Sequence, residues 1–251
     1  MRHKKKLFFL PVVWLVAGCH AAKPSPRPAP QPAPVVAAAP DAGPECVETP
    51  DLDRSIAVCE DAALRSLDPA RPLLSAARMR RERMQHGEQD RPDDAQACAA
   101  DARRSWSAHA QSTAEVAAAD AEALYLDAVC SAAWSRMQGF TPLIERRAEL
   151  GAALARVAQL APDLDGAGAD RELGALLAAL PAYAGGDLAE ARKHLETAVQ
   201  RAPRDPRNRL ALARLAVKSQ DRALFEEQLK AAPESPDAQA LLQREDDLFG
   251  R

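Results

Sequence analysis

The residue types best able to do chemistry in this 251-residue chain are five cysteines and five histidines, and their spacing decides which chemistry. Cys19 closes the stretch "LVAGC", behind Arg2, Lys4, Lys5, Lys6 and a short apolar run. The small residues Ala17 and Gly18 let a signal peptidase close on the bond before a cysteine whose thiol then carries lipid, the pattern of a bacterial lipobox. The other four cysteines, Cys46, Cys59, Cys98 and Cys130, form an even set, which in an exported chain implies two disulfides. Their spacings of 13, 39 and 32 residues lack the paired CxxC of zinc ligands, so neither a metal nor a cofactor is expected. A turn near Ala114 would bring Cys98 and Cys130 level on antiparallel helices. Cys46 lies just ahead of a helix start from which the chain can fold back to Cys59. The expected pairs are Cys46–Cys59 and Cys98–Cys130.

His3, His20, His86, His109 and His194 are scattered, and no nucleophile motif, HExxH or phosphate loop accompanies them. His194, among Arg192, Lys193 and Glu196, reads as a solvated helix position, and Asp246 and Asp247 as solvent-facing carboxylates. The basic run "RMRRERM" from Arg78 to Met84 reads as the solvated face of an amphipathic helix, with contact to anionic lipid or an acidic partner as the less favoured alternative. The sequence argues against an enzyme.

The elements that carry these residues are marked by composition. A run of about 12 apolar residues interrupted by Pro11 is too short to span a bilayer, which takes about 20, so residues 1–18 read as a signal peptide. His20 after the cysteine, in place of an aspartate, favours sorting to the outer membrane of the periplasm. Residues 21–44 hold eight of the chain's 20 prolines, so that 19–44 form an extended linker. At about 3.1 Å per residue, its 24 proline-rich residues reach up to roughly 75 Å. Removal of residues 1–18 leaves 29 basic residues against 36 acidic ones, which disfavours nucleic acid as a partner. With 56 alanines and ten aromatic residues, the domain must pack helices closely on methyl groups and spaced leucines, an all-α class.

Five dipeptides set a capping residue before proline: Thr49-Pro50, Asp68-Pro69, Thr141-Pro142, Asp205-Pro206 and Ser235-Pro236. With Gly87, Gly139 and Gly185-Gly186 as stops, they divide the domain into eight to ten helices and no sheet. "LGALLAALPAYAGGDLAEARKHLETAVQRAP" (173–203) reads as a helical hairpin around a Gly-Gly-Asp turn. Gly186, Asp187, Leu188, Ala191, Leu195, Ala198 and Pro203 fall at tetratricopeptide-repeat positions. A degenerate unit follows from Pro206 to Leu229, with Phe225 where a small residue is expected, and an earlier unit ends at Pro162. Stacked hairpins of this kind form a solenoid with a concave side. Pro181 either kinks the first helix, opening space beside it, or ends it early.

Beyond this generic repeat, Leu173, Gly174, Pro181, Gly185, Gly186, Asp187, Ala191 and Ala198 resemble the signature of the T component of tripartite ATP-independent periplasmic (TRAP) transporters, a family of helical-repeat lipoproteins. Tyr125 and Trp134 in "AEALYLDAVCSAAWSRMQG", Asp221, Phe225 and Leu229 downstream, and the ending "LLQREDDLF" are similar too. The resemblance covers 121–249, within a T-component-like region at 121–251, and leaves 45–120 as a disulfide-stapled helical region only loosely similar. The stretch between Leu229 and Leu241 lacks the family's usual final repeat helix. The resemblance implies association with the transporter's periplasmic substrate-binding protein, or a conduit for an apolar small ligand. A general repeat scaffold for envelope complexes is the alternative, and oligomerisation stays open. The expected ligand or partner groove gathers Tyr125, Trp134, Pro181, Tyr183 and Phe225, with Tyr183 the foremost.

Overall fold

Alanine is the strongest helix former, and the described residues hold eleven α-helices and no strand. The computed structural model describes residues 46–86, 90–110, 118–232 and 234–250; the signal segment, Cys19, the linker, Gly87 and Ala114 lie outside them. The helices are α1 (Leu52–Arg65), α2 (Ala70–His86), α3 (Pro92–Ala110), α4 (Ala118–Gln138), α5 (Phe140–Leu160) and α6 (Gly168–Ala179). After a 3-10 turn at Ala182–Ala184 come α7 (Leu188–Arg201), α8 (Pro206–Lys218), α9 (Arg222–Lys230), α10 (Pro236–Gln243) and α11 (Glu245–Phe249). Helices adjacent in sequence pack together from α1 to α9, and α2 also meets α4 as α6 meets α8. Contacts between alternate helices are what stacked two-helix units produce. The short α10 and α11 close the far end, where Phe249 meets Phe225 edge-on with ring centroids 5.2 Å apart.

The starts of these helices follow local chemistry. Asp205 and Ser235 cap α8 and α10 with proline in the first turn, as their dipeptides predict. The Asp68 carboxylate accepts from the Ala70 amide at the head of α2. Two expectations are corrected. Asp51, not Thr49, caps α1, because the Thr49 hydroxyl is drawn 2.6 Å from Ser55 Oγ. Thr141 lies inside the first turn of α5, which begins after Gly139 at a φ of 119°, a conformation glycine adopts without strain.

Pro181 ends α6 and does not kink it. Leu180 and Pro181 are both extended, and the helix stops at Ala179. Lacking an N–H, Pro181 leaves the Leu177 carbonyl without its helical donor. The Asp187 amide supplies one at 3.2 Å, and Lys218 Nζ reaches the next carbonyl, of Ala178, at 2.6 Å. The intervening loop closes on itself, with the Gly186 amide on the Pro181 carbonyl at 3.0 Å. A Cβ on Gly186 would fall 1.9 Å from the Leu180 oxygen, and one on Gly174 would fall 2.6 Å from Leu195 Cγ, where α6 and α7 touch. The spacing of Gly174, Pro181, Gly186 and Asp187 is therefore the geometry of one hairpin.

The first four helices are held differently. Disulfides join Cys46 to Cys59 and Cys98 to Cys130, with Cα separations of 4.5 and 5.9 Å. The run from Arg78 to Met84 is solvated only in part, at Arg78 and Glu82. Arg80 bridges Glu60, Asp94 and Asp101, while Arg83 binds Asp94 and Asp53. These guanidiniums are mostly buried because α2 is flanked by α1 and α3, both of which face it with carboxylates.

Candidate functional site

Where the stapled helices meet the repeats, the loop between α5 and α6 places Asp165 in the left-handed backbone region, at a φ of 52°. Aspartate tolerates that conformation better than most residues. Its carboxylate collects donors from four helices. Arg81 Nη2 of α2, Tyr125 Oη of α4 and Arg171 Nη2 of α6 all reach Oδ2 at 2.7 Å, and Arg207 Nη1 of α8 reaches Oδ1 at 2.8 Å. Arg171 also donates to Asn208 Oδ1 at 3.1 Å, and Asn208 Nδ2 caps the carbonyls of Gly166 and Ala198, each at 2.9 Å. Burial alone would raise the Asp165 pKa, but the charge and hydrogen bond of Arg81, with those of Tyr125 and Arg171, hold it well below the usual carboxylate range. Burial pushes the Tyr125 hydroxyl up, so it stays a neutral donor. The Arg81 guanidinium stacks over the Tyr125 ring, 4.9 Å from its centroid.

Outward from this junction runs a groove of about 450 Å³. Its walls come from alternate helices: Arg81 of α2, Arg136 of α4, Arg171 of α6, Arg207 and Arg214 of α8, and Asp237 of α10. Walls drawn from alternate helices are what the concave side of stacked two-helix units would present. Ala175, Ala179, Leu210 and Ala211 form an apolar floor. Arg81, Arg171 and Arg207 are bound to Asp165, whereas Arg136 and Arg214 are exposed and make no ion pair among the described residues.

The five residues expected to share a groove are not brought together. Tyr125 is buried in the Asp165 cluster, and Phe225 is fully buried between the repeats. Trp134 is half-buried on α4. Pro181 borders a separate cleft with Phe140, Leu180 and Leu188. Tyr183 is 88% exposed on the 3-10 turn and lines neither that cleft nor the concave groove, because α6 ends before the proline and the turn points outward. His194 is likewise corrected: it is half-buried, with Nδ1 2.9 Å from Asp170 Oδ1. The residues that the sequence reading missed are Asp165, Arg171, Arg207 and Asn208. Three basic positions within one helical turn, Arg80, Arg81 and Arg83, were the available signal, since they span too much of the helix for all to face solvent.

Residues 60–249 match the family described as the TRAP transporter T-component. The chain belongs to that family. The match starts well upstream of Ala121, so the family's extent takes in most of the disulfide-stapled helices as well as the repeats. No curated protein matches the chain. As a T component, the protein is a part of a periplasmic transport system and associates with other transporter components; the family is not known for catalysis. Among the described residues, no helix is long and apolar enough to cross a membrane.

Proposed function

We propose that this T component is a lipid-anchored periplasmic adaptor that binds the substrate-binding protein of its transporter through the concave side of its helical repeats. One observation carries the reading: the family match spans both the stapled helices and the repeats, and the Asp165 cluster ties those regions into the wall of one groove. The lipobox at Cys19 would hold the domain to the outer membrane while the proline-rich linker lets it reach a partner. Repeats of tetratricopeptide type fit this role because their recognition surface is a preformed hollow. An apolar small ligand is less well supported, since guanidiniums rim the concave groove.

In-cell crosslinking of the full chain tests the proposal. Capture of the substrate-binding protein encoded beside a TRAP permease is the expected result. Capture of envelope-assembly proteins alone would favour the general scaffold. Cys19→Ser should release the protein from the membrane fraction and abolish labelling by radioactive palmitate; persistence of both would remove the anchor from the reading.

A further inference from the structure

We infer that the groove docks an acidic segment of the partner protein in which carboxylates alternate with apolar residues, with Arg136 and Arg214 as the guanidiniums that receive the acids. This rests on the partner reading above and adds the chemistry of the docked segment. The chain carries a net charge of −3, yet the groove lining holds five arginines against Glu172 and Asp237. Asp165 and Asp205, just behind, neutralise much of Arg81, Arg171 and Arg207. The charge left over sits on Arg136 and Arg214, on two different helices of the wall. Guanidinium is suited to bidentate carboxylate binding, and among the described residues these two have no ion-pair partner to surrender first.

The floor selects a segment over a free ion. Ala175, Ala179, Leu210 and Ala211 present methyl groups between the charged walls, and the small side chains allow a backbone to come close. A small hydrophilic anion would leave that surface in contact with water. A chain with leucine-like residues between its acids covers the floor and pairs the walls at once. The junction at Asp165 holds Arg81, Arg171 and Arg207 in fixed directions, so the groove is formed before the partner arrives.

The test uses the mature full-length protein and a fluorescein-labelled ten-residue peptide of alternating glutamate and leucine, read by fluorescence anisotropy. Wild type should bind it, and the glutamine–leucine counterpart should bind at least ten-fold more weakly. Arg136→Glu combined with Arg214→Glu should weaken binding at least ten-fold. Arg156→Glu, the same charge change at an exposed α5 position outside the groove, should change it less than two-fold. Equal losses from the groove and Arg156 variants would overturn the inference. So would complete displacement of the peptide by millimolar succinate or inorganic phosphate, which would mark a small-ion site. A photo-crosslinker at Ala211 distinguishes the two claims in cells. Substrate-binding protein captured from other surfaces but never from Ala211 sinks the groove and leaves the adaptor standing. Peptide binding with no such capture anywhere sinks the adaptor and leaves the groove.

Discussion

Between α1 and α4, one disulfide joins α3 to α4, a second ties the segment ahead of α1 to that helix, and Arg80, Arg83 and Arg103 are set on buried or half-buried carboxylates, whereas between α6 and α9 the seams are closed by Leu195, Leu212, Phe225 and Leu229. The contrast follows from the side chains available. The interior of the stapled region is mainly alanine and cysteine, with Ile56, Leu73, Met79 and Leu126 as its larger members. Each buried alanine removes little apolar area from water, at roughly 25 cal/mol per Å². Covalent and ionic links make up the cohesion there. The repeats bury leucine and phenylalanine, and among the described residues no disulfide joins them.

Breaking the junction should have the largest effect. Asp165→Asn leaves Arg81, Arg171 and Arg207 converging on a neutral side chain and should lower stability by about 3–5 kcal/mol in urea unfolding. It should also change the acid response. The folded-state pKa of Asp165 lies below its unfolded value, so its stabilisation is complete above about pH 4 and fades as pH falls further. Wild type should lose more stability across that acid window than Asp165→Asn does. Next comes the covalent link. Cys98→Ser with Cys130→Ser should cost about 2–4 kcal/mol. By hydrogen exchange, the loss of protection should concentrate in α3 and α4 and spare α8 and α9; a uniform loss would erase the distinction between the regions. On the repeat side, Gly174→Ala forces a methyl group onto Leu195 and should cost about 1–3 kcal/mol in thermal unfolding. Tyr183→Ala, at an exposed ring, should stay within about 0.5 kcal/mol and leave partner binding unchanged.

What could be read from the sequence was local. The Gly-Gly-Asp turn, the caps at Asp205 and Ser235, the all-helical class and the two cysteine pairs each depend on residues close along the chain or on one antiparallel hairpin. Pro181 was half legible: a proline forbids the next helical bond, but only the Asp187 amide arriving at Leu177 decides for an ending over a bend. The arginines of α2 were misjudged because their partners are distant, with Asp165 lying 84 residues beyond Arg81. Amphipathic periodicity cannot show a charge turned inward toward a carboxylate on another helix. Tyr183 was misjudged for a related reason, since its exposure depends on which way a three-residue turn faces.

The span of the Asp165 cluster, from Arg81 to Arg207, also sets an arrival order. Most helix contacts join neighbours along the chain, and such pairs form early and fast. The four-way bridge cannot close until α8 is in place, so the latest segment to dock completes the charge balance of the earliest. A chain cut short before Pro206 would keep its hairpins but carry Asp165 without Arg207 and Arg171 without Asn208, leaving the seam between its two halves half-fastened.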